Sequence, residues 1–133
     1  MNKICTSIEQ SKKFIELGID VNTADMYYPN RVSIDNLYYP KRVGKDNYVL
    51  PIVWKNGHPL LSQEIPCWSL TALLCVLPDE VGDNHYLTLN KEGKEYCCCY
   101  EDNNGNSFRH TFADNPVDAC VEMVIKLHEL KRL

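Results

Sequence analysis

The feature that most constrains the fold lies in the C-terminal half of the chain. Three short runs, His85 to Leu89, Glu95 to Tyr100 and Ser107 to Phe112, carry the aromatic, β-branched and thiol side chains of strands. Lys91-Glu92-Gly93 and Asp102-Asn103-Asn104-Gly105-Asn106 separate them, and this chemistry turns a chain back between antiparallel neighbours. A helix follows, with Asn115 at its cap and Pro116 at the first helical position, where a missing N–H does no harm. Val117, Cys120, Val121, Val124 and Leu127 make its apolar stripe, opposite Asp118, Glu122, Lys126 and Glu129. Glu122 and Lys126 are spaced for an ion pair, and Lys131 and Arg132 suit the negative end of the helix. Each piece has one face to bury, so an antiparallel meander with a helix packed on it is expected.

Upstream, Thr6 and Glu9 have the spacing of a capping box ahead of an amphipathic helix. Ile8, Ser11, Phe14, Ile15 and Leu17 share one arc of it, and Gly18 followed by Ile19 supplies the stop. Tyr48 to Trp54 reads as a strand interrupted at Pro51, and Lys55-Asn56-Gly57-His58-Pro59 as a turn. A second helix, entered through Ile65-Pro66 and capped by Ser69, runs Leu70 to Leu77 without a polar face, which marks it as a buried central helix. Pro78 closes it. The expected class is therefore α+β: an antiparallel sheet with a buried central helix and N- and C-terminal helices packed on it. At 133 residues and 44% hydrophobic composition, residues 1–133 fit one domain.

Residues 26–47 hold a tandem duplication. MYYPNRVSIDN (26–36) is followed at once by LYYPKRVGKDN (37–47), with seven of eleven positions identical. Two copies are too few for a solenoid, which needs about three stacked units. A surface loop or β-ribbon fits better, because lengthening a loop adds little closure entropy. Pro29 and Pro40 confine their segments to an edge or a turn.

Charge and hydropathy exclude some classes of function. Fourteen Lys and Arg against eighteen Asp and Glu give a net charge of −4, which argues against duplex nucleic acid as a partner. No N-terminal signal-like stretch is present, and the apolar run at 70–78 is about half the ~20 residues a bilayer crossing needs. A cytoplasmic protein with no membrane partner is the expectation. Seven cysteines, an odd number including the run Cys97-Cys98-Cys99, then read as free thiols in a reducing compartment.

Three blocks, CTSIEQSKKFIELGIDVNTADMYY (5–28), IPCWSLTALLCVLP (65–78) and DNPVDACVEMVIKLHEL (114–130), cover 55 of the 133 residues. On these blocks the chain resembles a family of small uncharacterised proteins from gut Bacteroidetes and their phages or prophages. The resemblance implies an intracellular bacterial or phage setting and an accessory role. It carries no catalytic residue over to this chain.

Candidate chemistry is sparse. Cys97 and Cys99 fall on one face of a strand with His85 and His110 on its neighbours, so a Cys2His2 set is within reach. Structural zinc sites, however, use turn-borne C-x2–4-C pairs, and none occurs here. The thiols read as small groups filling a sheet face, and no metal or cofactor is assigned. Cys67, just ahead of the second helix, is the thiol best placed for activation, yet nothing ties a histidine to it. Cys75 and Cys120 read as core, and His128 as a residue at the core margin. Neither a P-loop nor a dinucleotide fingerprint is present, and no catalytic residue is assigned.

The strongest lead is the duplication itself. Tyr27, Tyr28, Tyr38, Tyr39 and Tyr48 are five of the eight tyrosines, interleaved with Arg31, Lys41, Arg42 and Lys45 against Asp35 and Asp46. Tyrosine and arginine give large contact area and directional hydrogen bonds at interfaces. The expected function is a non-enzymatic protein-binding or accessory module that contacts another protein, or itself, through Tyr27, Tyr28, Arg31, Tyr38, Tyr39 and Arg42. The alternative is single-stranded nucleic acid held by the same ribbon, since such segments also stack bases and clamp phosphates.

Overall fold

The computed structural model describes residues 3–29, 42–43, 48–49, 51–54 and 64–133. It is an α+β protein of helices and antiparallel sheets. The chain divides into two compact units, one formed by residues up to Thr6 together with Ser69–Leu133, the other by Ser7–Trp68.

The second unit opens with helix α1 (Ile8–Leu17). Its cap lies one residue later than the sequence suggested. Ser7 Oγ accepts from Gln10 N at 3.1 Å while Gln10 Oε1 accepts from Ser7 N at 2.8 Å, closing a capping box one register on from Thr6 and Glu9. Ser-x-x-Gln offers the same two capping acceptors as Thr-x-x-Glu, and Thr6 is itself buried. The helix ends at Gly18, whose φ of 85° is open to glycine at no steric cost. Gly18 N and Ile19 N close the last turn on Ile15 O and Phe14 O, each at 3.0 Å. Ile8, Ser11 and Phe14 are buried as expected, but Ile15, on the same arc, is exposed.

A single 3-10 turn (Val21–Thr23) leads to a three-stranded sheet. Strands β1 (Met26–Tyr28), β4 (Ile52–Val53) and β5 (Ile65–Cys67) lie in the order β4-β1-β5, all antiparallel. Ile65-Pro66 is thus an edge strand rather than a helix entrance, a position where proline's missing donor is tolerated. Phe14 packs edge-to-face on Trp68 at 5.0 Å, and Trp68 Nε1 donates to Thr23 Oγ1 at 2.9 Å. Between β1 and β4, β2 (Arg42–Val43) pairs antiparallel with β3 (Tyr48–Val49). The rest of the duplicated segment and the expected turn at 55–59 lie outside the described residues.

In the first unit, α2 (Leu70–Val76) starts at Ser69, whose Oγ accepts from Ala72 N at 3.2 Å. It is not buried on every side: Ala72, Leu73 and Leu77 are buried, whereas Cys75 is exposed. Two helical turns present one arc to helix α3 (Pro116–Glu129), and those residues occupy it. Strands β6 (Glu80–Val81), β7 (His85–Glu92), β8 (Glu95–Glu101) and β9 (Ser107–Ala113) pair antiparallel in sequence order. Asp102 Oδ1 caps the β8–β9 turn by accepting from Asn104 N and Asn106 N at 2.9 and 2.8 Å.

Helix α3 packs on β8 and β9. Its stripe Val117, Cys120, Val121, Val124 and Leu127 is buried, together with Ala119 and Met123. From the sheet, Cys98, Tyr100 and Thr111 meet it: Thr111 Oγ1 donates to Ala119 O at 2.6 Å, and the Cys98 and Cys120 thiols hydrogen-bond. That bond, together with burial, pushes the Cys98 thiol well above its ordinary range.

Candidate functional site

Strand alternation sends Cys98 and Tyr100 toward α3 and sends Cys97 and Cys99 to the opposite face of the sheet. Antiparallel register then decides their neighbours. Cys97 sits between Asn90 and Phe112, and Cys99 between Thr88 and His110. A register shift follows on β9 between the partners of Cys99 and Glu101, so His110 is the last residue in regular pairing before the irregularity.

The Sγ atoms of Cys97 and Cys99 and a ring nitrogen of His110 all lie within 4.8 Å of one another. Both thiols are buried, 3% and 1% exposed, because small side chains on an inner strand sit below longer ones on its flanks. His110 is exposed, and its ring stacks on Phe112 with centroids 5.8 Å apart and planes 25° apart. Cys99 Sγ is 3.0 Å from the Thr88 hydroxyl and donates to Glu101 Oε1 at 3.4 Å. Burial pushes the Cys97 thiol up, opposed by its hydrogen bond with Cys99 and reinforced by the charges of Glu92 and Glu101. Cys99 is pushed up to about 12, chiefly by burial. Thiols shifted in this direction lack the depressed pKa of an activated nucleophile. Two thiols and an imidazole converging on one point are instead a ligand set for a soft or borderline cation.

Of the four residues that spacing brought into reach of one another, three converge. His85 is not in the set; its ring lies 5.9 Å from Phe108, and its buried Nδ1 has no partner among the described residues. Of the other five cysteines, Cys98 and Cys120 meet between β8 and α3, Cys5 and Cys67 are buried, and Cys75 is exposed on α2. His128 is half-buried near the end of α3.

The aromatic segment is described at its root. Tyr27 and Tyr28 lie on β1, the central strand of its sheet. Tyr28 is buried at 6% exposure, while Tyr27 is half-buried and meets Trp54 edge-to-face at 5.8 Å and 70°. Trp54 N donates to Asp25 O at 2.9 Å, which ties the segment after β4 back to the start of β1. On β4, Val53 is 64% exposed. Arg42 pairs through its backbone with Val49, and Arg31, Tyr38 and Tyr39 lie outside the described residues.

A third feature is a cleft lined by Lys3, Lys91, Lys94, Tyr96 and Asn115 at the start of α3. Lys3 is engaged there with Asp118 at 2.6 Å. No helix among the described residues is long and apolar enough to cross a membrane. Comparison with protein-family models, curated proteins and solved structures returned no match.

Proposed function

We propose that the chain is a small non-enzymatic protein-binding module, of bacterial or phage origin and cytoplasmic, that engages another protein or a second copy of itself. The contact surface is the Tyr/Arg-rich segment: Tyr27, Arg31, Tyr38, Tyr39 and Arg42. One observation carries this reading. Where the segment leaves β1, the half-buried Tyr27 packs edge-to-face on Trp54, so a rigid aromatic surface is held at its root. Aromatic side chains fixed by packing lose little freedom on binding, which is why they recur as interface anchors. The net charge of −4 favours a basic partner.

The test compares wild type with a Tyr27→Ala, Tyr38→Ala, Tyr39→Ala variant, leaving the buried Tyr28 in place. Both are used to capture partners from bacterial lysate with and without nuclease, and both are examined by sedimentation velocity. Nuclease-resistant capture, or self-association, that the variant loses supports the module. Capture lost with nuclease, and falling steeply with salt, transfers the segment to single-stranded nucleic acid. A folded variant that keeps every association of the wild type overturns the assignment.

A further inference from the structure

We propose that Cys97, Cys99 and His110 bind one zinc ion on the face of the four-stranded sheet opposite α3, with a fourth coordination position open to solvent. The argument starts from register. A Cys-x-Cys pair on one strand presents two sulfurs on the same face, and a histidine directly opposite the second cysteine completes a triangle. All three ligand atoms already lie within 4.8 Å of one another. Tetrahedral zinc with bonds of about 2.3 Å to sulfur and about 2.0 Å to nitrogen separates such ligands by roughly 3.6–3.8 Å, so the triangle closes by side-chain rotation of about 1 Å.

The surroundings match what a cation needs. Thr88 Oγ1, 3.0 Å from Cys99 Sγ, is placed to donate to a metal-bound sulfur. The His110 ring stacks on Phe112. Glu92 and Glu101 act electrostatically on Cys97, and Glu101 also meets Cys99, so the local field favours positive charge. Two sulfurs and one imidazole are too soft a set for magnesium or calcium. His110 is exposed, so the ion reaches the set from solvent and the fourth position faces outward. Three protein ligands with one open position is the arrangement zinc adopts where it takes water or an incoming group.

Sequence spacing alone does not expose this site. Its cysteines are separated by one residue instead of two to four, and its histidine comes from a neighbouring strand, so the ligand pattern exists only in the sheet register.

The test uses untagged full-length protein, stripped with chelator under a phosphine reductant and titrated with cobalt(II), then with zinc in competition. Wild type should bind one equivalent, with intense visible bands of a tetrahedral site and thiolate charge-transfer absorption in the near ultraviolet. Cys75→Ser should behave as wild type, and Cys97→Ser and Cys99→Ser should lose the signal. His110→Ala alters an exposed residue, so it keeps the fold by circular dichroism while weakening binding at least about tenfold. X-ray absorption at the zinc edge should give two sulfur neighbours. Wild type that binds cobalt and zinc no tighter than about 10 μM overturns the proposal, since a built thiolate site is far tighter. So does binding unaffected by His110→Ala, or any other number of sulfur neighbours.

Discussion

At the scale of single residues, Tyr100 shows most directly how chemistry and fold meet. Its side chain is fully buried, and its hydroxyl donates to Pro78 O at 2.7 Å, joining the inner strand β8 to the chain just after α2. Tyr100→Phe removes the donor and leaves a part-buried carbonyl without it, so unfolding free energy should fall by about 1–2 kcal/mol in denaturant titrations at neutral pH. Burial also raises the tyrosine's pKa above its ordinary value of 10.0. The folded state therefore holds the proton after the unfolded state has begun to lose it. Stability from this group is complete below about pH 10 and drains away as the pH rises toward the folded pKa, by up to about 1.4 kcal/mol per pH unit. Phenylalanine has no proton to lose. The gap between wild type and variant should accordingly narrow above about pH 10 and then reverse. A constant gap from pH 7 to pH 11 would mean that Tyr100 ionises equally in both states.

At the scale of elements, α1 separates two sequence patterns that look alike. Ser7→Ala should cost about 1 kcal/mol, because Ser7 Oγ holds Gln10 N, and Gly18→Ala should cost about 1 kcal/mol, because φ there is 85°. Glu9→Ala should stay within about 0.5 kcal/mol, since Glu9 is exposed and its side chain is not the one that closes the box. Thermal unfolding of the three variants checks the order, and a larger loss at Glu9 than at Ser7 would restore the Thr6 cap. This near miss shows what was legible in the sequence. Turn and cap residues act through their own backbone, so Gly18, Ser69, Asn115 and the Asp102 turn could be placed from local chemistry alone. Burial of α2 could not, because an all-apolar helix does not say which arc meets a neighbour, and Cys75 faces out. The candidate metal site was half legible: alternation put Cys97 and Cys99 together, but only pairing of β8 with β9 selects His110 over His85.

At the scale of the whole molecule, seven thiols without a disulfide make a measurable pattern of exposure. Cys5, Cys67, Cys97, Cys98, Cys99 and Cys120 are buried and Cys75 alone is exposed, although seven thiols would be equally reactive in an unfolded chain. Thiolate is the reacting species, and burial raises the pKa of Cys97, Cys98 and Cys99 further from neutrality. Access and ionisation thus act in the same direction. In chelator at pH 7.5, an aromatic disulfide reagent should titrate one thiol rapidly and seven after denaturation, and Cys75→Ser should abolish the rapid phase. Slow labelling of the other six then reports opening of the fold, with a rate that rises in any variant that loosens it. Conditions that add or remove reductant should leave the unfolding temperature of the metal-free protein unchanged, because no cross-link holds either unit. Three rapid thiols in place of one, with the extra two lost in Cys97→Ser and Cys99→Ser, would instead show that the sheet face opposite α3 opens in solution. The ligand triangle would then be assembled by the ion rather than awaiting it.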